Sequence, residues 1–92
     1  MRRKSKPDII KVIVYDDGGD VTYSRRYYYQ HQQGSLLNED KQMLQSYRSI
    51  DEALDHIARV YQELWQTRPI RVKLNGRVVR HKNVKGNQGI RT

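Results

Sequence analysis

The carboxy-terminal part of the chain carries the densest set of residues that could bind an anion. Two alternating runs, residues 70–74 and 77–81, flank an Asn-Gly pair, which is the strongest short-range signal for a β-hairpin. With a two-residue turn, Arg71 would face Arg80 beside Lys73, on the sheet face turned away from the core. Like charges placed opposite one another destabilise a sheet. Such a face gains most when an anion lies between the cations, although exposed arginines can also extend into solvent at small cost.

A second candidate surface is the stretch at residues 25–29, which reads Arg-Arg-Tyr-Tyr-Tyr inside another strand-like run. In a strand, Arg26 and Tyr28 share one face while Arg25 lies on the other, and only one of these sets can pack beneath a helix. The exposed set would place a guanidinium beside a phenol ring, as in proteins that bind single-stranded nucleic acid. Arginine and tyrosine are also enriched at protein interfaces, and tyrosine favours strands in any case. The pattern therefore predicts a contact surface without choosing between nucleic acid and protein.

Positive charge is concentrated at the two ends of the chain. The net charge of the 92 residues is +8, and residues 67–92 contain eight Lys or Arg and no Asp or Glu. A one-signed segment of this kind is typical of proteins that bind nucleic acid or another polyanion, although it also serves solubility. The predicted contact residues for nucleic acid or a partner are Arg25, Arg26, Tyr28, Arg71, Lys73, Arg77, Arg80, Lys82 and Lys85.

Residues that could catalyse a reaction or hold a metal are sparse. The acidic turn at residues 16–20 lacks the spacing of a calcium loop, and the three histidines stand far apart in the sequence. No phosphate-binding loop, dinucleotide fingerprint or nucleophile elbow is present. We therefore expect a protein that is not an enzyme and that uses no metal, cofactor or small-molecule substrate. The remaining enzyme alternative is a metal-free ribonuclease built on His31 or His81 with Lys82.

The elements that would position these residues are those of a small α+β domain. Residues 9–15 are rich in β-branched side chains and predict a strand, residues 16–20 predict a tight hairpin turn, and residues 21–31 predict the second strand. Residues 32–40 are polar and predict a loop. Residues 41–48 could form a strand or a helical turn, and a strand is favoured.

A helix is the clearest predicted element. Ser49 followed by Glu52 matches a capping box, and Pro69 ends the run. The apolar residues that share one helical stripe are Ile50, Ala53, Leu54, Ile57, Ala58, Tyr61, Leu64 and Trp65. The resulting fold class is α+β: a small antiparallel sheet in the order ββ(β)αββ, with one amphipathic helix packed on one face.

The length allows one domain. We expect a basic flexible arm at residues 1–7, a compact domain at residues 8–81 and a basic flexible tail at residues 82–92. The absence of cysteine excludes disulfides and thiolate metal sites, and it suits a reducing compartment. No secretory signal and no apolar run of about 18 residues is present. We therefore expect a soluble cytoplasmic protein with no membrane partner.

A cysteine-free chain of this length, with short antiparallel strands around one helix, resembles the small accessory proteins that phages carry, and among them the anti-CRISPR inhibitors. The resemblance covers residues 9–81 at the level of architecture. It implies a non-enzymatic protein that binds a guide-RNA surveillance complex so that target DNA cannot be engaged. Many such inhibitors are acidic mimics of DNA, whereas this basic chain would contact guide RNA or acidic protein surfaces. The inhibitors share no sequence signature, so no residue role is transferred from them.

A second resemblance is carried by residues 48–54, which read Arg-Ser-Ile-Asp-Glu-Ala-Leu. This stretch is similar to the strand-to-helix entry of the arm-site DNA-binding domains of phage integrases.

The basic carboxy-terminal hairpin and the Arg-Tyr strand make a binder of a ribonucleoprotein complex, composed of protein and guide RNA, the leading expectation. The alternative is a small sequence-tolerant module that binds free DNA or RNA.

Overall fold

The computed structural model describes residues 6–82. In chain order the elements are β1 (Asp8–Tyr15), β2 (Val21–Gln30), β3 (Ser35–Leu37), β4 (Met43–Ser46), α1 (Ile50–Leu64), β5 (Ile70–Leu74) and β6 (Arg77–Lys82). All six strands pair in one antiparallel sheet with the order β4-β3-β2-β1-β5-β6. The predicted α+β class, with one helix packed on a small antiparallel sheet, is confirmed.

The predicted arm and tail lie largely outside the described residues, and so does Lys85. Within residues 6–82, no helix is long and apolar enough to cross a membrane.

The predicted turn between the first two strands forms as expected. The Asp16 side-chain oxygen Oδ1 accepts hydrogen bonds from the backbone N–H groups of Gly18 and Asp20, both at 2.9 Å. Gly19 adopts a φ of 89°, a conformation that glycine reaches without steric cost. A carboxylate acceptor and a left-handed glycine therefore close this hairpin.

The predicted loop at residues 32–40 is corrected by the structure, because it contains the short strand β3. Three residues are too few to show an alternating pattern in the sequence. Asn38 closes the following turn: its Oδ1 accepts the backbone N–H groups of Asp40 and Gln42, both at 2.9 Å. Strand β4 confirms the strand that we favoured within residues 41–48.

The helix begins at the predicted cap. Ser49 Oγ accepts the backbone N–H of Glu52 at 3.2 Å, and Glu52 Oε1 accepts the backbone N–H of Arg48 at 3.1 Å. Five stripe residues of the helix are buried: Ala53, Leu54, Ile57, Ala58 and Tyr61. Leu64 was expected in the same stripe, but 69% of it is exposed. The reason is that α1 covers mainly β5 and β6, which leaves its Leu64 edge above an uncovered part of the sheet.

The core lies between α1 and the central strands. Three alternate residues of β1 are fully buried beneath the helix: Ile10, Val12 and Val14. In β5, Ile70 and Val72 have at most 2% of their surface exposed. Each such side chain contributes roughly 1.5–3 kcal/mol when buried. The alternation assigns every residue of these strands to either the helix side or the open side of the sheet.

The turn between β5 and β6 is anchored to the beginning of β1. Asn75 has a φ of 50° and Gly76 a φ of 90°, as a two-residue hairpin turn requires. Asn75 Oδ1 accepts the backbone N–H of Ile9, and Asn75 Nδ2 donates to Asp8, both at 2.9 Å. Asp8 also pairs with His31. Burial raises the pKa of Asp8, but the hydrogen bonds from Asn75 and His31 outweigh it and leave this pKa below the ordinary value of 3.8.

The predicted pairing of Arg71 with Arg80 is wrong. The register of the β5–β6 ladder shifts at Val72, so Val72 lies opposite Arg80 and Arg71 lies opposite His81. Val79 is the extra residue of this β-bulge, a feature that changes the facing of every residue beyond it. The side chain of Arg80 therefore lies on the helix side, whereas that of Arg71 lies on the open side.

Candidate nucleic-acid interface

The side of the sheet that α1 does not cover, here called the open face, carries the strongest candidate site. Its central feature is a row of three cations on three adjacent strands. Lys11 of β1 lies directly opposite Arg26 of β2 on one side and directly opposite Lys73 of β5 on the other. We call Arg26, Lys11 and Lys73 the cationic row.

No member of the cationic row forms an ion pair with a carboxylate of residues 6–82, although Glu39 Oε2 accepts the backbone N–H of Arg26 at 3.3 Å. Within residues 6–82, the only cationic side chains that form ion pairs with carboxylates are His31 and Arg80. Neighbouring strands lie about 4.8 Å apart, so three positive charges occupy a span of about 10 Å. This span is within one Debye length at 0.1 M salt, so the charges repel one another. An arrangement of this kind lowers stability unless an anion binds to it.

Further cations and aromatic rings flank the cationic row. Arg71 lies two residues from Lys73 along β5, opposite Ile13 of β1, and its guanidinium carbon stands 5.5 Å from the centre of the Tyr15 ring. On the same face, toward strands β3 and β4, the ring of Tyr28 lies 4.5 Å from the amino group of Lys41. Tyr28 shares the open face with Ile9, its partner in the register. The open face therefore combines cations with two half-buried aromatic rings, Tyr15 and Tyr28.

Four of the predicted contact residues come together on this face: Arg26, Tyr28, Arg71 and Lys73. Two others are held on the helix side by the rest of the protein. Arg80 Nε donates to Asp55 at 2.8 Å, and the Arg80 guanidinium also pairs with Asp51 at 3.6 Å. Lys82 donates to the carbonyl oxygen of Gln66 at 3.0 Å. Arg77 is exposed beside the hairpin turn.

Arg25 belongs to a separate surface on the helix side. It lies opposite the buried Val12, between Tyr23 and Tyr27 on the same side of β2. These side chains border a groove of about 430 Å³, here called the aromatic groove, which is lined by Tyr23, Arg25, Tyr27, Val60, Tyr61, Leu64 and Trp65. The sequence left open which face of β2 lies under the helix, and the structure assigns Arg25, Tyr27 and Tyr29 to it.

The aromatic groove has a preorganised wall. The Tyr23 ring lies 5.7 Å from Trp65 and 6.1 Å from Tyr61, measured between ring centres. The Tyr27 and Tyr61 hydroxyls are hydrogen-bonded at 2.7 Å. Burial, followed by this hydrogen bond, raises the pKa of Tyr61, so its hydroxyl stays protonated at physiological pH. Among residues 6–82, the lining of the groove therefore combines aromatic rings with one charged side chain, Arg25.

Sequence reasoning missed Lys11, the centre of the cationic row. The signal was present, because Ile10, Val12 and Val14 alternate with it and an alternating strand sends its odd and even residues to opposite faces. Which cations lie opposite Lys11 could not be read from the sequence, since strand order and register are set by pairing across long stretches of chain. The pairing with Lys73 in particular joins residues 62 positions apart.

The histidines of the described residues lie apart from one another and contact different partners. Among residues 6–82, no group of three His, Asp or Glu side chains is arranged to hold a metal ion. His31 pairs with Asp8, and His56 hydrogen-bonds to the Tyr47 hydroxyl. His81 is exposed on the open face, opposite Arg71.

Comparison with known proteins gives no relative for this chain: no protein-family model, no curated protein and no solved structure matches it.

Proposed function

We propose that this protein is a non-enzymatic binder of single-stranded nucleic acid, and that it holds the phosphate backbone on the open face. The observation that carries this proposal is the cationic row, in which Lys11 lies directly between Arg26 and Lys73. Placing three like charges side by side costs stability. A line of phosphates neutralises all three at once and releases condensed counterions, which is the main source of affinity for nucleic acid.

The flanking rings favour a single strand over a duplex. In a duplex the bases are stacked on one another, whereas an unpaired base can stack on an exposed ring. Tyr28 and Tyr15 stand on either side of the cationic row, and stacking of a base on such a ring is worth about 1–3 kcal/mol. The proposed complex therefore has phosphates on Arg26, Lys11 and Lys73, with bases on the tyrosines.

The biological target that we favour is the RNA of a ribonucleoprotein complex in the cytoplasm. A target made of both RNA and protein suits a domain with two different surfaces on opposite sides of one sheet. The open face is cationic, whereas the aromatic groove is rich in tyrosine and tryptophan, as the centres of protein interfaces are. The resemblance to anti-CRISPR inhibitors adds that the complex would be a guide-RNA surveillance complex. The second candidate is a module that binds free nucleic acid with the open face alone.

The test is fluorescence anisotropy with labelled single-stranded RNA, single-stranded DNA and duplex DNA at a series of salt concentrations. Four contacts, from the cationic row and Arg71, predict that log affinity for a single strand falls with log salt at a slope near −3. Lys11→Gln should weaken binding and reduce the magnitude of this slope by about 0.7. The matched control is Arg59→Gln, which removes the same charge from an exposed position on α1.

Equal loss of affinity in the two variants would overturn the proposed site, because net charge alone would then explain binding. Release of cleaved nucleic acid would overturn the non-enzymatic assignment. Affinity also separates the two targets. Weak binding to naked RNA, on the order of 10–100 μM at physiological salt, favours the composite ribonucleoprotein target, whereas much tighter binding favours the free-nucleic-acid module.

A further inference from the structure

The aromatic groove contains a cation, Arg25, that has no ion-pair partner among residues 6–82. Arg25 donates from its terminal nitrogen to the Tyr23 hydroxyl at 3.1 Å. Its Nε is buried and has no hydrogen-bond acceptor among residues 6–82. No carboxylate in that part of the chain pairs with Arg25. Residues 1–5 and 83–92 contain no Asp or Glu. Buried polar groups are normally satisfied, so Arg25 is an incompletely paired cation that lines an open groove.

The rest of the groove is apolar and accessible. Leu64 is 69% exposed and Val60 is 37% exposed, although both belong to the helix that covers the core. Together with the rings of Tyr23 and Trp65, they give the groove a largely apolar lining. A volume of about 430 Å³ lies within the usual range of roughly 300–1,000 Å³ for ligand sites. The occupant must therefore be largely apolar and must carry one anionic group.

We propose that the aromatic groove binds an acidic peptide segment of a partner protein, with a large apolar side chain against Trp65 and Leu64 and a carboxylate on Arg25. A planar guanidinium binds a carboxylate through two parallel hydrogen bonds, and a carboxylate is the counter-charge that Arg25 lacks among residues 6–82. The proposal deepens the proposed function by naming the chemistry of the protein component of the ribonucleoprotein. The groove proposal depends on the proposed function in one respect: both assign the open face and the aromatic groove to the same ribonucleoprotein complex.

The groove fits a peptide better than it fits a nucleic acid strand. Nucleic acid binders need several cations that follow the backbone, and within the described part of the chain Arg25 is the one charged side chain that lines the groove. The aliphatic Leu64 and Val60 offer no stacking plane to a base, but they match a leucine or phenylalanine side chain. The adjacent arginines are thus assigned different partners: Arg26 faces phosphates on the open face, and Arg25 faces a carboxylate in the groove.

The emission of Trp65 provides a direct assay, because it is the chain's one tryptophan and it lines the groove. The probe is the acetylated and amidated peptide Ser-Asp-Leu-Phe-Glu-Ser, compared with its neutral counterpart Ser-Asn-Leu-Phe-Gln-Ser. The acidic peptide should change the emission at roughly tenfold lower concentration than the neutral one, as expected for a charged hydrogen bond. Arg25→Gln should abolish the difference between the peptides, and Arg25→Lys should restore part of it.

Arg26→Gln is the matched control, since it removes the neighbouring arginine from the opposite face. It should weaken RNA binding and leave peptide binding unchanged, while Arg25→Gln should do the reverse. Leu64→Ser alters an exposed residue and should weaken both peptides without lowering the melting temperature, which keeps the test valid if Arg25→Gln folds poorly. The same two variants separate failure of the groove proposal from failure of the proposed function.

Three results would overturn the groove proposal. The first is an equal response of Trp65 to the acidic and neutral peptides. The second is a loss of RNA affinity in Arg25→Gln as large as that in Arg26→Gln, which would assign the groove to nucleic acid. The third is a Trp65 emission that depends on protein concentration without peptide, together with sedimentation as a dimer. That outcome would make a second copy of this chain the occupant.

Discussion

The cationic row makes an unusual prediction: removing the charge of Lys11 should stabilise the protein while weakening its binding to nucleic acid. Lys11 has two like-charged cross-strand neighbours, Arg26 and Lys73. Each direct pair of this kind contributes roughly 0.2–1 kcal/mol of repulsion. Lys11→Gln removes both pairs and retains a polar, unbranched side chain of similar length. The free energy of unfolding should therefore rise by about 0.4–2 kcal/mol.

Thermal unfolding followed by circular dichroism measures this effect directly. A gain of about 1 kcal/mol raises the melting temperature of a domain of this size by about 4–8 °C. The gain must depend on salt, because the Debye length falls from about 10 Å at 0.1 M to about 3 Å at 1 M. Lys11→Arg is the control: it retains the charge and should retain the wild-type salt dependence of the melting temperature.

The reasoning would be refuted by a Lys11→Gln variant that is no more stable than the wild type at low salt. It would also be refuted by a gain in stability that persists unchanged at 1 M salt, since packing rather than charge would then be responsible. A residue whose removal stabilises the fold and weakens binding is one whose position is explained by its ligand. The pair of measurements therefore tests the site and its physical cost together.

Three further predictions concern the fold that positions these surfaces. Leu54→Ala should cost about 2–5 kcal/mol in a denaturant titration, because Leu54 is only 2% exposed; a wild-type midpoint would contradict the placement of α1 over the core. Asp8→Asn should lower stability at pH 7 but have no effect once the pH falls below the depressed pKa of Asp8, since that carboxylate stabilises the fold only while ionised. Gly34→Ala should destabilise more than Gly19→Ala: both glycines have positive φ, but a Cβ on Gly34 would lie 2.6 Å from the Tyr47 carbonyl oxygen, whereas one on Gly19 would have no neighbour within 4 Å.

Features governed by neighbouring residues were predictable from the sequence. The capping pair Ser49 and Glu52 defines where α1 begins, and the glycines after Asp16 and Asn75 define two hairpin turns. In each case, the residue that forms the cap or the turn contacts backbone groups only a few positions away in the sequence. Local chemistry of this kind is legible in a single chain without knowledge of the tertiary fold.

Features governed by long-range pairing were not predictable. The bulge at Val79 accompanies an ion pair between Arg80 and Asp55 of α1, residues that are 25 positions apart in the sequence. Strand β3 is too short to be recognised from its own residues. The predicted Arg71–Arg80 cluster was wrong because the register of β5 and β6 shifts at the bulge. The cationic row around Lys11 became visible only when the order of the strands was known.

The two proposed binding surfaces, the open face and the aromatic groove, are linked by the register of a single strand. A slip of β2 by one residue relative to β1 would exchange the faces of Arg25 and Arg26, moving each arginine to the other surface. The buried ring of Tyr29, 2% exposed and opposite Leu36 in the ladder, opposes such a slip, because the slip would turn this ring out of the core. The three consecutive tyrosines of β2 therefore serve different purposes: Tyr28 belongs to the open face, Tyr27 lines the groove, and Tyr29 holds the register that keeps the two surfaces apart.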